Sequence, residues 1–156
     1  MICGVNGMVD KISFHKVMID TSPLIYYIEK HKQYFPVVKS IFTKIDNLEI
    51  SSITSTITLI EVLVHPERES NFELKKQYLD ILLNNANLEI IPLDVSVARK
   101  AASIRAIYDL KMPDAIQLAT GINNKCDAFL TNDYALKKVK EIKVITINDL
   151  VDKAHR

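Results

Sequence analysis

The chain has little of what marks the specialised protein classes. Its 156 residues include only three glycines, and no linker, internal repeat or low-complexity segment is visible, which argues against fibrous and disordered chains. The two cysteines, Cys3 and Cys126, lie far apart with no CxxC or Cys/His ligand spacing. Neither a disulfide framework nor a zinc site is indicated, and both read as reduced thiols of a cytoplasmic protein. Twenty basic residues against 19 acidic ones leave a net charge of +1, so any contact with nucleic acid must rest on a local patch. No apolar run approaches the roughly 18 residues that span a bilayer, and the N-terminus lacks a basic region followed by an apolar core. A membrane-bound or exported protein is not expected. His15, His31, His65 and His155 are scattered without ligand spacing and are assigned no catalytic role.

What is present describes an ordinary globule, with 48% hydrophobic and 25% charged residues, at a length suited to one domain with a full core. Residues 1–15 carry little periodicity, and Met8 offers a second start. They read as a disordered tail ahead of a domain over 16–156.

Strand and helix patterns alternate along that domain. Val17 to Ile19 reads as a strand, followed by a helix capped by Ser22 with Pro23 at its first position and running to about His31. A second helix spans about Pro36 to Asp46. A strand over Leu48 to Ile53 precedes a helix capped by Ser55 that stops before Pro66. Ser70 and Glu73 match a capping box for a helix to about Asn84. A third strand covers Leu88 to Leu93, its Pro92 suiting a sheet edge, and Asp94 or Ser96 caps a helix to about Asp109. Then come a helix opened by Pro113-Asp114, a strand at Ala128 to Leu130, a short basic helix near Tyr134 to Val139, a strand at Val144 to Thr146 and a helix capped by Asn148. Five strands alternating with helices imply an α/β fold with a mainly parallel sheet covered on both faces.

Four acids stand out against this pattern. Asp20 and Asp133 each follow a strand, whereas Glu61 and Asp114 each lie on the helical part of a crossover. Alone, each has an ordinary reading: Asp20 and Asp114 complement helix N-termini, Asp133 suits an Asx turn, and Glu61 fits a solvated face. Together they can gather outside the carboxyl ends of the strands, where open α/β sheets place functional groups. A carboxylate inside the apolar run Thr58 to Val64 is costly to bury alone, and four crowded carboxylates require cations or protons. Magnesium or manganese suits an all-oxygen donor set without Cys or His. With no nucleophilic Ser/His/Asp set, hydrolysis of a phosphodiester by metal-activated water fits, through one ion or two.

Ile19-Asp20-Thr21-Ser22, Ile60-Glu61-Val62, Pro113-Asp114-Ala115-Ile116-Gln117-Leu118-Ala119 and Leu130-Thr131-Asn132-Asp133, in this order, resemble the PIN-domain ribonucleases, especially the VapC-type toxins. The resemblance spans about Val17 to Val151. It implies a three-layer α/β/α sandwich and a magnesium- or manganese-dependent endoribonuclease. It also matches Asp20, Glu61, Asp114 and Asp133 to the acidic quartet, and Thr131 to a small polar residue that supports the site. Asp20 and Asp114 are then the principal metal ligands, Glu61 a ligand or water-orienting base, and Asp133 a second-metal or water-mediated ligand. Ser22 caps a helix or orients a carboxylate, and Arg105, also resembling the family pattern, holds an RNA phosphate or balances the acids unless it is merely solvated. The basic groups Arg99, Lys100 and Lys111, and Lys137, Lys138, Lys140 and Lys143, either guide RNA or serve solubility.

Toxins of this type resemble one another in being neutralised by a small antitoxin lying in a groove beside the active site, which makes Tyr26, Tyr27 and Phe35 candidate contacts. A homodimer is likewise implied. The rival readings are a non-catalytic PIN-like scaffold, a housekeeping RNA-processing nuclease, and a receiver-type phosphoacceptor module. The last should show paired acids early in the chain, where Val17 to Asp20 has one.

Overall fold

The computed structural model describes residues 13–154, so most of the expected tail lies outside the described residues. The packed body reaches back to Phe14, which is 5% exposed, and the Asp127 carboxylate accepts the amides of His15 and Lys16, both at 2.8 Å.

Lys16–Ile19 forms β1, the centre of a five-stranded sheet. Ser51–Ser55 (β2) and Leu88–Ile91 (β3) extend it on one side, and Ala128–Thr131 (β4) and Val144–Thr146 (β5) on the other, in the order β3-β2-β1-β4-β5. Every pairing is parallel. Strands buried on both faces read as near-continuous apolar runs, and Val17-Met18-Ile19 and Ala128-Phe129-Leu130 send alternate side chains to opposite layers. Thr21–Ile28 (α1), Phe35–Asp46 (α2), Thr56–Arg68 (α3), Phe72–Leu83 (α4) and Ile147–Ala154 (α7) bring side chains to the layer that holds Val17, Ile19, Ala128 and Leu130. Val95–Tyr108 (α5) and Met112–Asn123 (α6) pack on the face of Met18, Ile53 and Phe129. The result is the expected α/β/α sandwich.

Several local expectations shift, each for a physical reason. Asp20, not Ser22, is the N-cap of α1, its side chain accepting the Thr21 amide. Leu48 takes φ 62° while the Leu48 and Glu49 amides close back onto Ile45 and Lys44, so the chain finishes α2 before β2 starts at Ser51. Helix α3 continues past Pro66, whose buried ring packs in the last turn; that packing outweighs the one helix bond a proline cannot make. Ser70 adopts φ 49°, which moves the cap of α4 to Asn71. Strand β3 ends before Pro92 and is a sheet edge. At α7 the Asp149 amide donates to Thr146, and the Asn148 amide donates instead to the Asn132 side chain.

Gly121 lets α6 lie close on the sheet. A Cβ there would sit 2.9 Å from the Met18 Cβ, so the approach of α6 to β1 depends on having no side chain at this position.

Candidate active site

From β1 the chain moves outward through β2 to β3, then returns to the other side of β1 for β4. The carboxyl ends of β1 and β4 therefore form the switch point where such sheets open a crevice. Asp20 follows β1, and Asn132-Asp133 follow β4. The Asp20 amide donates to the Leu130 carbonyl at 2.9 Å, tying the two ends together.

Asp20 is held on both oxygens. Its Oδ1 accepts the Thr21 amide at 2.8 Å and Gln117 Nε2 at 3.3 Å, and its Oδ2 accepts the Thr131 hydroxyl at 2.7 Å. Burial still pushes its carboxyl above the usual range, against the pull of the Thr131 and Thr21 hydrogen bonds, with the Glu61 charge adding to the rise. Asp114, in the first turn of α6, is raised by burial and by the charges of Asp20 and Asp133, with Lys111 opposing. Three of the four acids thus come from the two central strand ends and the start of α6. The fourth, Glu61, stands exposed on α3, near enough for its charge to act on Asp20.

Of the two readings of Glu61, costly burial in an apolar run or a solvated helix face, the second holds, since its neighbour Ile60 is itself 60% exposed and the inward face of α3 carries Thr58, Val62 and Pro66. Among the described residues no group of three or more His, Cys, Asp or Glu side chains is placed to hold a metal ion as it stands. The acids share one field without forming a closed ligand cage. This all-oxygen set, with two carboxyls raised by burial and mutual repulsion, fits a hard cation that keeps part of its water shell.

Thr131 sits under the site as a relay. While donating to Asp20, its hydroxyl accepts the Asp133 amide at 3.0 Å, and Asp133 Oδ1 accepts the Ala135 amide at 3.0 Å, opening the 3-10 turn of Tyr134–Lys138. Among the described residues the Ser22 hydroxyl makes no hydrogen bond to a carboxylate: it accepts the Asn132 amide at 3.2 Å, bracing the loop before Asp133. Arg105 donates from Nε to the Leu110 carbonyl at 3.1 Å and so steadies the turn leading into α6.

The sequence reading gave no role to Gln117 and Thr58 and made Ser55 only a helix cap, yet the three form a buried polar layer beneath the acids. Gln117 is 1% exposed. Its Nε2 donates to Thr58 at 2.7 Å as well as to Asp20, and its Oε1 accepts the Ser55 hydroxyl. Thr58 and Thr54 share a 2.9 Å hydrogen bond, and Thr54 donates to the Ile19 carbonyl at 2.7 Å. One signal was available. Gln117 lies three residues after Asp114 and Thr58 three before Glu61, so each polar residue is a one-turn neighbour of its acid.

Beside the site, Asn132 donates to the Tyr26 hydroxyl at 3.1 Å, and Tyr26 packs with His31 and Tyr34 at ring separations of 4.7–4.8 Å. Tyr27 and Phe35 instead line a groove of about 690 Å³ with Phe42 and Ile81.

Residues 17–142 match the model of the PIN domain family. No curated protein matches the sequence. Among solved structures, the fold is similar to that of VapBC2 from Rickettsia felis bound to a DNA fragment from the promoter, at 20% identity and TM-score 0.66 over 84% of this chain and 98% of that one. A toxin-antitoxin complex from Klebsiella pneumoniae is similar at 22% identity and TM-score 0.65, over 85% of this chain and 97% of that one. DNA-bound VapBC from Salmonella typhimurium is similar at 18% identity and TM-score 0.66, over 85% and 98%. At these identities the likeness is one of fold. Because the family match runs from the central strand to Ile142, across Asp20, Glu61, Asp114 and Asp133, the chain belongs to the PIN domain family.

Proposed function

We propose that this protein is a divalent-cation-dependent endoribonuclease and the toxin half of a toxin–antitoxin pair. The observation that carries the reading is the meeting of Asp20, Asp114 and Asp133 at the β1/β4 switch point, with Asp20 and Asp114 raised in common and Glu61 acting on Asp20. Asp20, Asp114, Glu61 and Asp133 would hold magnesium or manganese. Such an ion, when bound, supplies Lewis-acid polarisation of a phosphate oxygen and lowers the pKa of an attacking water.

The chain's own part is orientation and charge. Thr131, the Thr21 amide and Gln117 fix the plane of the Asp20 carboxylate and leave it spare acceptor capacity. Asp114 projects from the first turn of α6, where Arg105 steadies the preceding turn. Glu61, exposed on α3 with its charge acting on Asp20, would orient water. Lys111, at the start of the same helix, offers a cation to the RNA backbone. On the lysine-rich side Lys137 is already paired with Asp149, which leaves less free charge there for phosphate.

The toxin reading draws on the solved complexes of similar fold and on the Tyr27–Phe35 groove, whose apolar floor suits an amphipathic segment of a small partner. The test is cleavage of structured RNAs by purified protein with magnesium or manganese, alongside Asp20→Asn and Asp114→Asn. Cleavage lost in both folded variants supports the assignment. Equal activity in all three preparations points to a contaminating nuclease and overturns it.

A further inference from the structure

We infer that Gln117 is a positioning residue whose carboxamide locks together the three elements that carry Asp20, Glu61 and Asp114, and so sets the geometry of the acidic site. The inference rests on the proposed nuclease function and adds a residue to its machinery.

The geometry is specific. The Gln117 side chain occupies a fully buried position on α6, and each of its two polar atoms is engaged. Oε1 accepts the hydroxyl of Ser55, at the end of β2. Nε2 donates to Thr58 on α3 at 2.7 Å and to Asp20, just past β1, at 3.3 Å. Ser55 in turn accepts the Ile57 amide at 3.1 Å and caps α3. One amide therefore links β2, α3, α6 and the end of β1.

Its placement along each helix gives the contact its consequence. Asp114 is one turn before Gln117 on α6, and Glu61 is one turn after Thr58 on α3. The two acid-bearing helices are thus joined one turn from their acids, and the same group reaches the third acid. Methionine or leucine would fill the space as well as glutamine does. A purely packing role gives no reason for a group here that must satisfy two donors and an acceptor.

A site fixed in this way loses function when the supporting group is removed even though every acid remains. Groups behind metal ligands typically change metal affinity or activity by about 10–100-fold. Gln117→Met keeps the shape and removes the hydrogen bonds.

The experiment compares wild type with Gln117→Met and Thr58→Val in RNA cleavage and in manganese binding followed by calorimetry, well below each melting temperature. For Gln117→Met, kcat should fall at least about tenfold with KM for RNA within about twofold, and manganese affinity should fall by about the same factor as kcat. Thr58→Val, which removes the nearest of the three acceptors around Nε2, should show the same pattern with a smaller loss. A Gln117→Met protein that melts lower but keeps wild-type kcat and manganese affinity has a packing residue at this position, and overturns the inference alone. Wild-type protein that neither binds manganese nor cleaves RNA overturns the nuclease reading and takes this inference with it. Should Gln117→Met fail to fold, Thr58→Val decides: wild-type kcat and manganese affinity in that variant overturn the inference.

Discussion

Thr131 and Asp20 are joined by a 2.7 Å hydrogen bond between neighbouring strand ends. Because the same hydroxyl accepts the Asp133 amide, it couples an acid after β1 to an acid after β4. Thr131→Val keeps the volume but strips a donor from a carboxylate and an acceptor from a backbone amide. The expected cost is about 1.5–3 kcal/mol of stability, the range for hydrogen bonds to charged groups. RNA cleavage should fall, whereas Thr131→Ser, which keeps the hydroxyl, should retain most of it. Urea unfolding and a cleavage time course on the two variants check both parts.

The carboxyls of Asp20 and Asp114 are raised by burial and by neighbouring acids. A folded state that binds protons more tightly than the unfolded chain is favoured at low pH, and loses that advantage as pH climbs through the raised values. Asp114→Asn removes the charge that must be buried. In chelator, its melting temperature should match wild type near pH 4 and exceed it by roughly 2 °C at pH 7. Added magnesium or manganese should stabilise wild type and narrow the gap. Melting curves across pH with and without the ion check this, and a gap that shrinks as pH rises would contradict it.

How far the sequence revealed this site depends on where each residue sits. Asp20, Asp114 and Asp133 were legible because a strand end or helix start fixes backbone direction and leaves few places for the side chain to go. Glu61 was left between two readings, and the apolar letters around it could not choose because they include the exposed Ile60. Gln117 and Thr58 were passed over because, within an inward-facing stripe, a polar residue can be read only once its partners on other elements are known. The sheet and its layers followed from strand and helix alternation. Boundaries moved at Leu48, Pro66 and Ser70 because a left-handed residue or a buried proline ring decided the local path.

Gly121 marks a close approach of α6 to the sheet. Gly121→Ala would gain helix propensity worth about 1 kcal/mol, yet its Cβ would meet the Met18 Cβ at 2.9 Å and the Ile142 Cδ1 at 3.1 Å. The Met18 Cβ moves only with its backbone, so overpacking should win and destabilise the protein by about 1–3 kcal/mol. Since α6 carries Asp114 and Gln117, cleavage should weaken as well. Chemical denaturation checks the sign; a stabilised variant would show that the helix can shift without cost.

Cys126 offers a test away from the acids. Burial pushes its thiol up to about 11, from an ordinary value of 9.0. At pH 8 the thiolate fraction is then about a hundredfold below that of a free cysteine. In a Cys3→Ser background, alkylation of the native protein should be slower by about that factor, and should reach the ordinary rate in denaturant. Rapid native labelling would show that the α6–β4 connection is more open than described.

The central claim is that acids from separate segments make one divalent-cation site. Calorimetric titration of manganese into metal-free wild type and into Asp20→Asn, Asp114→Asn and Asp133→Asn tests it most directly. Wild type should bind manganese, and binding should weaken by about tenfold or more in each variant. Wild type that binds no manganese, or binding left intact in all three variants, would contradict it.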